Sequence, residues 1–175
     1  MLTLLLLRHA KSSWDNPALA DFDRPLAKRG QKAAPRMGAE IETLGLHPDL
    51  ILCSSAQRTR ETLDLVLGSW SGAPPPVVYD EAIYMASPAE LIAELRTLAA
   101  TSPQPGRVMM VGHNPGFEEL AELLTGGGDP SARELMARKF PTCALAVITF
   151  EGDDWAAIGP GKGTLTRFIT PAHLT

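Results

Sequence analysis

The chain reads as an α/β protein, a three-layer α/β/α sandwich around a mostly parallel central sheet. Three observations lead there. Short apolar runs alternate with segments of helical periodicity along nearly the whole length. The helical stretches are long enough to serve as crossovers between parallel strands. No linker, repeat or low-complexity tract divides the 175 residues, so one domain over 1–175 is expected.

The elements follow in order. Leu2–Leu7 is apolar apart from Thr3 and is stopped by Arg8, far short of a membrane span and without a signal peptide's basic leader or cleavage site; it reads as a buried first strand. Lys28–Leu44 reads as a helix, Leu50–Cys53 as a strand and Ala56–Leu67 as a helix. Ala73-Pro74-Pro75-Pro76 is a stiff connector into a strand at Val77–Tyr79. Ser87–Ala100 has the clearest helix start, with Ser87 as N-cap, Pro88 at the first helical position and Glu90 closing a capping box. Val108–Val111 is a strand and Phe117–Leu124 a helix; a further helix near Ser131–Ala137 begins after Asp129-Pro130. Ala144–Phe150 is a strand and Trp155–Ile158 a weaker one. These late strands lie close together with no helix between them, which favours some antiparallel pairing.

Charge narrows the partners. Sixteen Lys and Arg against 20 Asp and Glu give a net charge of −4, and no basic stripe stands out, so a nucleic-acid binder is not expected. Cys53 and Cys143 sit in apolar settings without metal-ligand spacing and read as reduced core thiols, which with the absence of an anchor points to the cytoplasm. Gly126-Gly127-Gly128 and Gly161-Lys162-Gly163-Thr164 read as loops, although the residues that follow Thr164 have an extended pattern. Asp21-Phe22-Asp23 reads as a solvated loop before a helix. His47 and His173 have no evident partner and are left out of the chemistry.

In sheets of this kind, ligands bind at the carboxyl ends of the strands. The first strand ends in Arg8-His9, the second in Ser54-Ser55 with Arg58 one turn on, and the fourth in Gly112-His113-Asn114. Two arginines and two histidines thus meet at one rim, with no carboxylate among them. Paired guanidinium forks suit a phosphoryl dianion, and a neutral imidazole beside them can attack phosphorus. Such a positive pocket supplies most of what phosphoryl transfer needs. The four histidines show no metal-ligand spacing, so a site without metal or cofactor is expected.

Leu7-Arg8-His9-Ala10, then Ser54 to Thr62 (Ser-Ser-Ala-Gln-Arg-Thr-Arg-Glu-Thr), then Val111-Gly112-His113-Asn114-Pro115 resemble the histidine phosphatase (phosphoglycerate mutase-like) superfamily. Within it, Arg8–Trp14, Asp23-Arg24-Pro25-Leu26 with Arg29-Gly30, and Phe140–Ala144 are most similar to the short SixA-type phosphohistidine phosphatases. The resemblance implies that His9 is the nucleophile that becomes phosphorylated. It makes Arg8 and Arg58 the phosphate clamps and His113 the second pocket histidine. Ser12 and Lys11 are further candidates for substrate contact, whereas Arg60, two positions from Arg58 on a helix, should face elsewhere.

Two departures matter. Ala10 stands where the commoner pattern has Gly. The glutamate acid that many phosphomonoesterases and mutases of the superfamily carry falls, in the best alignment, on Tyr84, with Asp80 and Glu81 nearby. Without an acid an alkoxide leaves badly, whereas a phosphoimidazole departs more easily. The segments Leu63–Tyr84 and Gly112–Phe140 also leave little length for a lid. The expectation is therefore a phosphatase acting on a phosphohistidine-bearing carrier or relay protein, itself a monomer. A small-molecule phosphomonoesterase and a non-catalytic phosphate-binding module are the alternatives.

Overall fold

A computed structural model describes residues 1–174. Seven strands form one sheet: β1 (Leu2–Arg8), β2 (Leu50–Ser54), β3 (Val77–Asp80), β4 (Arg107–Gly112), β5 (Thr125–Gly128), β6 (Leu145–Phe150) and β7 (Gly163–Ile169). Their spatial order is β3-β2-β4-β1-β6-β7-β5. The β3–β2, β2–β4, β4–β1 and β7–β5 pairs are parallel, and β6 runs antiparallel to both β1 and β7. The α/β class follows as the alternation implies, and antiparallel pairing does occur late in the chain, but β6 makes it with β1 and β7 and not with a strand at Trp155–Ile158.

Helices cover both faces. On one side α1 (Lys28–Thr43) and α2 (Gln57–Gly68) bury Ala34, Met37, Ile41, Leu63 and Val66 against Leu5, Leu7, Ile51 and Met109 of the sheet. On the other, α3 (Pro88–Arg96), α4 (Gly116–Leu124) and α5 (Pro130–Arg138) pack Leu91, Leu95, Phe117, Leu120 and Met136 against Leu4, Leu6, Val108 and Met110. The period-2 alternation of side chains sends neighbouring leucines of β1 into opposite cores. The expected capping box on α3 is present, Ser87 Oγ accepting from Glu90 N–H while the Glu90 carboxylate accepts from Ser87 N–H, both at 3.2 Å.

Four sequence expectations about the elements are corrected. Trp155–Ile158 is not a strand: Trp155–Ala157 is a 3-10 turn whose first peptide is capped by Asp154, and the fully buried indole donates to the Pro105 carbonyl at 2.6 Å. Burial of one large ring, not pairing, accounts for the apolar signal there. The glycines at 126–128 form edge strand β5, because only a residue without Cβ fits where Gly126 meets the Gly161 carbonyl; a Cβ would lie 2.0 Å from that oxygen. Gly163 and Thr164, expected in a loop, open strand β7, which accounts for the extended pattern that follows them. The third helix ends at Arg96, and Thr97–Ala100 tightens into a 3-10 turn.

Register aligns the strand ends. Arg8 pairs with Gly112, Cys53 with Val111, and Ser54 with Asp80, so the carboxyl ends of β1, β2, β3 and β4 lie side by side.

Candidate active site

The backbone of His9 is clamped from two sides. Its N–H donates to the Gly112 carbonyl at 3.0 Å, and its carbonyl accepts from Cys143 N–H at 2.9 Å. One residue on, Ala10 N–H donates to Thr62 Oγ1 at 3.0 Å, and that hydroxyl donates to the Arg58 carbonyl at 2.7 Å. The loop after β1 and the first turn of α2 are therefore bound through one threonine. Gly30 of α1 packs so close to this loop that a Cβ would sit 2.2 Å from the Lys11 carbonyl oxygen.

Arg8, His9, Lys11, Ser12, Arg58 and His113, all the residues the sequence nominates, line one cavity of about 350 Å³. The His9 Nδ1–H donates to the Ala10 carbonyl at 2.7 Å, which fixes the tautomer and leaves the Nε2 lone pair without a partner among the described residues. Burial, together with the positive fields of Arg58, Arg8 and Arg24, holds the imidazole pKa down at about 3. His113 lies beside it, ring centroids 5.4 Å apart, with Nε2 2.8 Å from Ser54 Oγ. Burial first, then electrostatic coupling to the neighbouring His9 ring and the positive charge of Arg58, bring it too to about 3. Both rings are neutral at physiological pH.

Three polar atoms in this group, Arg8 Nε, Arg58 Nε and His113 Nδ1, are buried without a hydrogen-bond partner among the described residues. An unsatisfied buried polar group costs on the order of 1–3 kcal/mol. Three on adjacent residues, two of them guanidinium groups, form a cradle chemically matched to an oxyanion. Arg8 is anchored through its Nη1–H to the Phe140 carbonyl at 2.9 Å, and burial pulls its guanidinium down from its ordinary value.

The sequence reading missed the cavity's carboxylate. Asp21, expected in a solvated loop, begins a 3-10 turn (Asp21–Asp23) that reaches the cavity. Arg58 donates to its main-chain carbonyl at 2.7 Å and to its Oδ2 at 3.0 Å; Arg24 donates to its Oδ1 at 2.9 Å, and the Tyr84 hydroxyl donates to Oδ2. Partial burial alone would raise the Asp21 carboxyl. The hydrogen bonds from Tyr84, Arg24 and Arg58 outweigh it and hold the group well below the usual carboxylate range. The only advance signal was Asp21 standing three residues before Arg24 in a block already notable for its Arg-Pro.

Ser12 is buried, and its Oγ accepts from Arg24 Nη2–H at 2.7 Å, so it braces that arginine. Arg24 in turn stacks on the exposed Trp14 ring, 3.2 Å from its centroid. Of the three candidates for the acid position, Tyr84 lines the cavity. Asp80 instead caps the following turn by accepting from Ala82 N–H at 2.8 Å, and Glu81 is exposed. Arg60 lies outside the cavity, donating to the Ser55 carbonyl and covering the Tyr79 ring. His47 and His173 do have partners, Glu42 and Trp70 for the first and Thr170 for the second. Among the described residues no group of three or more His, Cys, Asp or Glu could hold a metal ion, and no helix is long and apolar enough to cross a membrane.

A cavity with paired arginines and two neutral histidines at the strand ends of such a sheet is chemically suited to hold a phosphoryl group. Comparison with known proteins gives the family. The family model of the histidine phosphatase superfamily (branch 1) matches residues 4–83. An uncharacterized chloroplastic protein of Arabidopsis thaliana is 35% identical over 96% of this chain and 77% of its own, and an uncharacterized protein of Mycobacterium tuberculosis is 35% identical over 94% and 99%. Among solved structures, the SixA protein of Nakamurella multipartitia superposes with TM-score 0.79 at 30% identity, covering 97% of this chain and 96% of that one. The SixA protein of Agrobacterium tumefaciens gives 0.79 at 29%, covering 97% and 98%. Both are proposed phosphohistidine phosphatases. The chain belongs to the histidine phosphatase superfamily, and that membership together with its SixA structural neighbours supports a phosphatase.

Proposed function

We propose that this phosphatase hydrolyses phosphohistidine on a protein, through a covalent phosphohistidine on His9 and without a metal ion. One observation carries the reading: His9 Nε2 is a free lone pair on a tautomer-fixed, neutral ring, in a cavity whose lone carboxylate among the described residues is held ionised. A nucleophile is ready, and no carboxylic acid is available to protonate an alkoxide.

In the first step the His9 Nε2 pair bonds to phosphorus as the substrate's P–N bond breaks. The released pair returns to the substrate imidazole, which takes its proton from solvent. In the second step water adds to phosphorus, the bond to His9 breaks, and inorganic phosphate leaves with the pair restored to Nε2 and a proton lost to solvent. Arg8 and Arg58 bind the equatorial oxygens where charge spreads. His113 donates from Nδ1, its Nε2 accepting from the Ser54 hydroxyl. The SixA relatives named for this activity, and the exposed Trp14 and Met85 at the cavity mouth, support a macromolecular substrate.

The test compares the protein and its His9→Ala variant on a histidine-phosphorylated carrier protein and on an aryl phosphate, with no metal added. Faster turnover of the phosphohistidine, abolished in the variant, is the expected result. Preference for the ester would instead make the protein a metabolite phosphomonoesterase.

A further inference from the structure

A second concavity, of about 440 Å³, opens beside the first and shares Lys11 and Thr142 with it. Its floor is apolar, built from Ala33 of α1 with Pro141, Pro171 and Ala172. Its cations are Lys11 from the loop after His9 and Arg29, Lys32 and Arg36 from α1. The last three are spaced i, i+3 and i+7, which puts them on one helix face, and all three are exposed. No carboxylate lines the groove. Among the described residues none of the four cations has an acidic partner, and the Arg36 guanidinium donates to the Leu174 carbonyl.

Placement makes this informative. The chain is acidic overall, at −4, yet four of its 16 basic residues meet in one groove with no side-chain counter-charge among the described residues, continuous with the cavity that holds His9. Exposed cations of one sign repel one another, and no described acidic side chain neutralises these. A small phosphate would find no apolar floor useful. An amphipathic polypeptide would bury its apolar side on the prolines and alanines while its acidic residues met the rim.

We infer that this groove docks an acidic amphipathic segment of the substrate protein, flanking the phosphohistidine that enters the His9 cavity. The inference rests on the proposed function and adds the character of the partner: negative charge beside the modified histidine. It also assigns Arg29 and Lys32 to substrate selection, outside the catalytic cavity.

Two synthetic helical peptides test it, each carrying one central phosphohistidine, one flanked by glutamates and the other by glutamines. The wild-type protein should show a KM at least 10-fold lower for the acidic peptide, and rising salt should erase that advantage. The double variant Arg29→Glu/Lys32→Glu should lose the preference while hydrolysing the neutral peptide at the wild-type rate. Equal KM values in the wild type, or a preference that survives the reversal, would overturn the inference while leaving the proposed function standing. Turnover of neither peptide by the wild type would overturn the proposed function and the docking with it. A double variant impaired chiefly on a small bisphosphate would show that the groove holds a second phosphate and not a polypeptide.

Discussion

Burying two neutral histidines at the site ties stability to pH in a calculable way. A histidine whose folded pKa is depressed binds fewer protons folded than unfolded, so its contribution is complete above the unfolded pKa and is lost as pH falls through the window down to the folded one. For His9 and His113 that window runs from about 6.5 down to about 3. At pH 5.0 the unfolded side chains lie about 1.5 pH units below their pKa, and at about 1.36 kcal/mol per unit each ring withdraws about 2 kcal/mol. Together they remove about 4 kcal/mol between pH 7.5 and 5.0, a large share of a typical 5–15 kcal/mol. Urea titrations followed by tryptophan fluorescence read this directly, since Trp70 and Trp155 are buried. The His9→Gln variant should lose about 2 kcal/mol less than the wild type over the same interval, and the difference between the two curves reports His9 together with its coupling to His113. Superimposable curves would refute the reasoning, because His9 would then not be held neutral by its surroundings.

Other outcomes follow from single contacts. Asp21→Ala removes the carboxylate that takes hydrogen bonds from Arg58, Arg24 and Tyr84. Charge-assisted bonds of this kind are worth about 1.5–3 kcal/mol, so kcat/KM should fall by about 10- to 100-fold; unchanged kinetics would mean that Arg58 holds its place unaided. Gly30→Ala drives a methyl into the Lys11 carbonyl. It should cost about 1–3 kcal/mol in chemical denaturation and slow turnover by shifting the loop that carries His9. Trp155→Ala, remote from the cavity, should cost about 3–5 kcal/mol in the same assay while leaving the activity per folded molecule intact.

The histidines and the two clamp arginines were legible because each stands at, or one turn beyond, the end of a strongly apolar strand, and parallel strands of one sheet end together. Asp21 and Arg24 were not legible as cavity residues. They sit in the irregular stretch between β1 and α1, where no periodicity says which way a side chain points, and only the closed chain brings Asp21 to Arg58, 37 positions on. The edge of the sheet was obscured for a different reason: Thr125–Gly128 has almost no side chains with which to show a period of two. Trp155 misled because one large buried ring gives a short window the apolarity of a strand.

The composition of β1 has a consequence for folding fidelity. Five of the six residues from Leu2 to Leu7 are leucine, and they fill both cores. Sliding such a strand by one position exchanges leucine for leucine on either face, so greasy burial scarcely distinguishes the right alignment from its neighbours. What discriminates is the polar end: a slip one way drags Arg8 into a sealed layer, and a slip the other way pulls His9 off its bonds to Gly112 and Cys143. The residues proposed to handle the phosphoryl group thus also act as the index mark by which the middle strand finds its place, and replacing Arg8 with leucine would blur the alignment as well as the proposed chemistry.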